Sequence, residues 1–477
     1  MQPRLPATRR MLATVVGLCG LTLVAAYLNK ARCAGAPFGE DGRSIIFDRI
    51  KDTQVCYSDI QFLWLGRGID QHLFPYLHGS ITPDGVLVGG SVEYPVLSGV
   101  LMWLGAVGAN DDAQFLAQTA LLLAPFGLLT AWLLGRLAGW SALLWSVGSP
   151  LVLYAFHNWE LPVVAASVGA IYVVTALPRW PLRRRAVLAA VLLGIGFCLK
   201  IYPGMFVLPL VLFVLTGGVA GRELPASVTG RYDIRGAIGV AAAAVVTVVA
   251  INLPFAVAGF AGWRASITFQ QQRAADITTN SIWYWGLRPL FGPGAGNPAT
   301  GNLGAGTTAA ENAAAYEHAV SVTSPVLILL SFGLAAWLGW RRHQRTGGYP
   351  WVQVSGAMLC GFLLFHKVHS PQYTLWIVPF LVLVAVPWPA VAGYLVADVA
   401  VGVWVFRYFY ALSNDGSVVV VENVVQFGVW ARAALLVVFY VLFLRGELRS
   451  GPARPDRSVP TPGPVTARDG RLVPAVG

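Results

Sequence analysis

AVLAAVLLGIGFCLKIYPGMFVLPLVLFVLT occupies residues 186–216. Two apolar runs, 186–199 and 201–216, flank Lys200 and the helix-breaking Pro203-Gly204. Each run approaches the ~20 residues that carry a helix across bilayer hydrocarbon. The pattern repeats along the chain, with further candidate spans at 11–27, 92–108, 113–136, 139–156, 160–177, 236–258, 322–340, 352–366, 372–388, 389–409 and 424–444. The chain is 56% hydrophobic and only 12% charged, against roughly 25% charged in soluble globular proteins. These features predict an all-α polytopic membrane protein of about twelve transmembrane helices, with additional helices in its extracytoplasmic loops.

Positive charge orients the spans. Arg179 and Arg183-Arg184-Arg185, the arginines between Arg222 and Arg235, Arg341-Arg342 with Arg345, and the tail from Arg445 all mark the cytoplasmic side. Segments 157–160, 200–203, 261–320, 366–372 and 413–422 then fall outside. Arg4, Arg9 and Arg10 precede the first run, which reads as an uncleaved span with its N-terminus inside. Thirteen candidate spans conflict with two cytoplasmic ends, so 92–108 or 160–177 is expected to be short, re-entrant or surface-lying. The membrane domain covers 1–444, with extracytoplasmic loops at 28–91 and 259–321. Residues 293–315, rich in Gly, Ala and Asn, read as a mobile loop. The Pro- and Arg-rich residues 445–477 read as a disordered cytoplasmic tail.

The net charge of +11 sits mostly in these short loops and tails, and it makes no basic stripe on a soluble domain, so nucleic acid is not an expected partner. Membrane lipids are. Of the five cysteines, Cys19, Cys198 and Cys360 lie in apolar runs and read as core residues. Cys33 and Cys56 share the first loop; a bridge is possible there, and free thiols are the reading taken.

Ionisable residues near the membrane are costly and usually mark a path or a site. The candidates gather on the outer side. Asp59 lies in CYSDIQFLWLGRGIDQHLFPYL, residues 56–77, as a solvated loop carboxylate or a general base that takes a proton from an attacking hydroxyl. Asp70 and Glu93-Tyr94-Pro95 follow; the latter also suits an ordinary helix start. His157-Asn158-Trp159-Glu160 forms a polar knot between apolar runs. Lys200 and Arg273 are either snorkelling cations or cations aimed at a lipid phosphate. The sharpest cluster is His366-Lys367-Val368-His369-Ser370-Pro371-Gln372-Tyr373. Its Lys and protonated His would neutralise a phosphate, and Gln372 and Tyr373 would hold sugar hydroxyls. No HxxxH, HExxH or DxD spacing assigns a metal site, and a divalent cation stays open.

Six pieces occur in order: YSDIQFLWLGRGIDQHLFPYL (57–77), VEYPVLSGVLMWL (92–104), NWELPVVAASVGA (158–170), LKIYPGMFVLPLVL (199–212), RAADITTNSIWYW (273–285) and KVHSPQYTLWIVPF (367–380). Together they resemble the GT-C superfamily of integral-membrane glycosyltransferases, and within it glycosyltransferase family 87. The resemblance implies transfer of a sugar from a polyprenyl-phosphate donor to a glycan or glycolipid acceptor outside the cell membrane. Mannose or arabinose are the sugars expected from the chain's high-GC, actinobacteria-like residue usage. It also implies an acidic base matching Asp59 and donor-phosphate contacts from the loop matching residues 366–373. Lys200, Arg273, Lys367 and His369 are assigned to the phosphate, and Asp70, Glu93, Tyr94, Glu160, His366, Gln372 and Tyr373 to sugar or acceptor. The chain departs from the family's YPP pattern, with Val96 after Tyr94-Pro95, and carries Glu160 where an Asp often follows NW. The alternatives are a transporter or flippase of a lipid-linked or anionic solute, whose cations would bind cargo, and a non-catalytic membrane scaffold.

Overall fold

The structure, a computed structural model, describes residues 9–297, 307–414 and 416–449. Helix α1 (Arg9–Ala31) enters a long first loop that carries α2 (Ile45–Ile50), α3 (Asp59–Phe62) and a small antiparallel hairpin of β1 (Ser80–Ile81) and β2 (Leu87–Val88). Then come α4 (Val96–Ala106), α5 (Asp112–Ala138), α6 (Leu143–Val147), α7 (Ser149–Tyr154), α8 (Glu160–Ala176), α9 (Leu182–Leu199) and α10 (Val207–Leu215). The second half holds α11 (Ile234–Ala258), α12 (Phe260–Gln272), α13 (Thr308–Thr346), α14 (Trp351–Phe365), α15 (Thr374–Leu383), α16 (Trp388–Ser413) and α17 (Val419–Arg445).

Seven stretches among the described residues are long and apolar enough to cross a membrane, and four shorter apolar helices of 10–17 residues pack with them. The chain is an all-α, multi-pass membrane protein. Helix α11 turns Ile238, Val245, Val246 and Leu253 outward, a surface that hydrocarbon solvates and water would not.

The arginine loops converge at one end of the bundle. Arg183 pairs with Asp233 at 2.5 Å, and Asp233 also caps α11 by accepting from the Gly236 amide. Arg185 pairs with Glu223 and donates to the Val174 carbonyl in the last turn of α8. Arg342 donates to the carbonyls of Leu444 and Gly446. The opposite end carries the first loop. There the Asp59 amide meets the His157 carbonyl, and the Ser98 hydroxyl meets the Leu199 carbonyl.

The parity conflict has a geometric answer. The Tyr76 hydroxyl donates to the Tyr94 and Pro95 carbonyls just before α4, and His72 Nε2 sits 2.6 Å from the Ala106 carbonyl at its end. Both ends of α4 therefore touch the first loop. Its 11 residues reach about 16 Å, half of a ~30 Å hydrocarbon core. Of the two segments in doubt, 92–108 holds the shorter helix, α4, and 160–177 forms the 17-residue α8.

Other expectations need correction. Segment 139–156 is not one helix: Gly139, at φ 63°, ends α5, and Gly148 separates α6 from α7, which starts with Ser149-Pro150. The expected mobile loop 293–315 is helical from Thr308, with the Thr307 hydroxyl accepting from the Ala310 amide as N-cap; residues 298–306 lie outside the described part. The tail is ordered through Arg449, whose amide donates to the Leu383 carbonyl at 2.7 Å while Leu448 pairs with Val384. The rest of the expected disordered tail, 450–477, lies outside the described residues. Cys33 and Cys56 are not free thiols but a disulfide. Helix α2 folds the first loop back on itself and brings their Cα atoms to 5.9 Å. Cys19, Cys198 and Cys360 are buried and free.

Candidate functional site

Asp59 opens α3 and is held at the seam between the first loop and the α7–α8 turn. Ser58 caps α3 by accepting from the Ile60 amide, and its own hydroxyl donates to the Phe156 carbonyl at 2.7 Å. The Asp59 amide donates to the His157 carbonyl at 2.8 Å. Its carboxylate accepts from the Tyr57 hydroxyl at 2.9 Å and from Asn158 Nδ2 at 2.7 Å. His157 Nε2 lies 3.9 Å away, and the Asp59 side chain keeps 20% of its surface exposed, so an external hydroxyl can reach it.

Asn158 is the hub beneath. Its Nδ2 also donates to the Tyr94 hydroxyl at 2.7 Å, and its Oδ1 accepts from Lys200 Nζ at 3.1 Å. Lys200 donates to Glu160 at 2.8 Å and lies 4.4 Å over the Tyr94 ring. The other Glu160 oxygen accepts from Trp376 Nε1 at 2.6 Å. Trp376 stacks between Tyr202 at 4.3 Å and Tyr373 at 3.8 Å. A continuous polar chain thus runs from Asp59 to Tyr373, joining the first loop to the segment that follows α14.

Lys30, in the last turn of α1, braces this seam. Its Nζ donates to the Tyr57 carbonyl at 2.7 Å and sits 3.5 Å from His157 Nδ1. Donation to Nδ1 leaves the imidazole proton on Nε2, facing Asp59. Burial holds the His157 ring well below its ordinary value, and the charges of Lys30 and Lys200 push it further down, so it is neutral. Burial and then the Asp59 charge raise the Tyr57 and Tyr94 phenols well above theirs. Both stay protonated.

On the open side are Arg273, which ends α12, and Lys367, both half-buried. The Arg273 guanidinium has no hydrogen bond or ion pair among the described residues, and its charge acts on Tyr94, His366, Lys367 and Tyr373. Lys367 donates to the Gln271 carbonyl at 3.0 Å and has no carboxylate within ion-pair distance among the described residues, Glu317 acting on it only from farther away. Burial, with Arg273 adding, lowers the Lys367 ammonium from its ordinary value.

The structure therefore divides the sequence candidates. Asp59 and Arg273 both act on Tyr94 and Tyr373, Lys367 feels the Arg273 charge, and all five are partly exposed. Lys200 and Glu160 form a buried pair, Glu160 fully enclosed with both oxygens bonded. Glu93 is paired with Arg67 at 2.8 Å, and its carbonyl accepts from Gln270. The Asp70 amide bonds the Trp64 carbonyl, and its side chain makes no bond to the Asp59 network. His366 stacks on Phe362 and is pushed down to about 4, mainly by burial. His369 and Gln372 are buried; the His369 amide donates to the Thr279 carbonyl at 2.7 Å. Burial, then the Arg432 charge, holds the His369 ring well below its ordinary value. Both rings are therefore neutral at pH 7, with burial the largest cause for each.

Sequence reasoning missed Lys30, Tyr57, Asn158 and Trp376 as members of the network. Asn158 stood inside a flagged polar knot; Lys30 had a signal too, a lysine in the final turn of an apolar span. Among the described residues no three His, Cys, Asp or Glu side chains converge as a metal-ligand set. No family model, curated protein or solved structure gives a significant match to the chain.

Proposed function

We propose that the chain is a GT-C-type glycosyltransferase, family 87-like, which moves a sugar from a polyprenyl phosphate to an extracytoplasmic glycan or glycolipid at the cell membrane. The observation that carries the reading is the partly exposed Asp59 carboxylate, which acts together with the Arg273 charge on Tyr94 and Tyr373, while Arg273 and the neighbouring Lys367 form no ion pair among the described residues. That pairing suits a reaction in which a hydroxyl must lose a proton while a phosphate gains charge.

The step is a single displacement. Asp59 accepts the proton of an acceptor hydroxyl; the oxygen bonds to the anomeric carbon; the bond from that carbon to the phosphate oxygen breaks, and the phosphate leaves with the electron pair. The sugar inverts. Tyr57 and Asn158 orient the carboxylate. Arg273 and Lys367 hold the leaving phosphate, a preorganised electrostatic contribution of the kind that dominates such reactions. Tyr94 and Tyr373 line the space between and suit sugar hydroxyls. Lys200 acts from below, neutralised by Glu160 and fixing Asn158.

The helices support twelve passes, namely α1, α5, the broken stretch through α6 and α7, then α8 to α11 and α13 to α17. With arginine loops cytoplasmic, the Asp59 patch lies outside. The test uses purified protein in vesicles with polyprenyl-phosphate mannose or arabinose labelled in the sugar. Label should pass to an acceptor, and Arg273→Gln with Lys367→Gln should weaken donor binding about tenfold or more. Unchanged donor binding would sink the phosphate assignment; label crossing the bilayer with the donor intact would favour a flippase.

A further inference from the structure

A groove of about 950 Å³ runs between α13, α14 and α17, apart from the Asp59 network. Its walls are apolar, with Leu327, Leu330 and Leu334 on α13 facing Val437 and Val441 on α17. α13 packs along α14 and hardly meets α17, so the two outer helices splay and the groove opens sideways. At one end the lining changes to Arg342, Arg345 and Arg445. None of these three forms an ion pair among the described residues. Arg342 donates to the Leu444 and Gly446 carbonyls, both at 2.9 Å, which fixes its position without neutralising it. Glu447, the carboxylate nearest in sequence, is exposed and pairs with none of them.

We infer that this groove is a site for one phospholipid with an anionic phosphate headgroup, its hydrocarbon between α13 and α17 and its phosphate against the three arginines. The dimensions fit. Leu327 to Arg342 is fifteen helical steps, about 22 Å at ~1.5 Å each, longer than the ~15 Å of one leaflet's hydrocarbon. The groove's volume lies at the upper end of the ~300–1,000 Å³ of ligand pockets. The charge also fits. A phosphodiester accepts the paired N–H donors of guanidinium groups, and a headgroup of net negative charge, unlike a zwitterionic one, adds no ammonium for the three uncompensated arginines to repel. This is the end where the arginine loops converge, and such loops face the leaflet richer in anionic lipid. The three arginines sit at the opposite end of α14 from His366, while the apolar end of the groove reaches Phe365, and none of its lining residues belongs to the Asp59 network.

Native mass spectrometry of the purified protein tests it, after exchange into an equal mixture of phosphatidylglycerol and phosphatidylcholine. One phosphatidylglycerol should be retained preferentially. Each arginine near the surface contributes about fivefold, so Arg345→Gln with Arg445→Gln should cut the preference about 25-fold. Both side chains are exposed and bridge no other element, so folding should survive. Leu334→Trp fills the groove, leaves the arginines in place and should also expel the lipid. Equal retention of the two lipids, retention unchanged in the double variant, or retention unchanged in Leu334→Trp would overturn the site. Equal thermal stabilisation by millimolar inorganic phosphate would overturn the lipid assignment.

Discussion

Lys200 and Glu160 meet inside the bundle at 2.8 Å, with side chains 9% and 0% exposed. A buried ammonium that loses its anion is costly, about 3–5 kcal/mol. Glu160→Gln should therefore lower the melting temperature in detergent by several degrees. If Lys200 instead served the donor phosphate directly, the same substitution would leave stability nearly unchanged and tighten donor binding. Tyr57→Phe should be mild: it removes one of two donors to Asp59, a loss of about 1 kcal/mol, read as a severalfold drop in transfer rate with folding intact. The residue types of the site were legible in the sequence, and their pairings were not. Asp59 and Asn158 are 99 positions apart, and Glu160 and Trp376 are 216 apart. Only the packed bundle decides that Lys200 turns down to a carboxylate while Arg273 stays open.

The segment joining α14 to α15 folds its imidazoles inward, and that has a pH consequence. His366 is held at about 4 by burial, with Lys367 and Arg273 adding, against about 6.5 for a free imidazole. Between those values the unfolded chain binds a proton that the folded chain refuses. The stability from the neutral ring is complete above about pH 6.5 and is lost as pH falls toward about 4. Melting temperatures at pH 7, 5.5 and 4.5 should fall more steeply for the native chain than for His366→Gln; parallel slopes would count against the buried neutral ring. In the first loop, the Cys33–Cys56 bridge closes a separation of 23 residues, for which chain entropy suggests about 3 kcal/mol. Cys33→Ser with Cys56→Ser should lower the melting temperature, and a reductant should then have no further effect. Long apolar elements such as α11 and α17 were readable from composition. The beginning of α13 was not, because its Ala- and Asn-rich first turns carry no apolar stripe and are fixed by the Thr307 cap. The break at Gly148 was hidden for the opposite reason, since apolar residues continue on both sides of it.

At the scale of the whole molecule, the bundle has an arginine end and a carboxylate end, and α4 begins and finishes at the latter. Single cysteines introduced at Gly108 and Asp84 in a cysteine-free chain should both label from outside intact cells with an impermeant maleimide, while one at Gln344 should not. Opposite labelling of Gly108 and Asp84 would restore α4 as a crossing. The parity of the passes was unreadable from hydropathy because α4 is as apolar as its neighbours and no shorter than α15; what sets it apart is that both its ends touch the first loop. The central claim is that the Asp59 carboxylate and the Arg273–Lys367 cations work on one lipid-borne substrate. Its most direct test is transfer by Asp59→Asn in vesicles supplied with labelled polyprenyl-phosphate sugar. The expected result is a loss of about 10²- to 10⁴-fold in transfer with donor binding retained. Product formed at the native rate would contradict it.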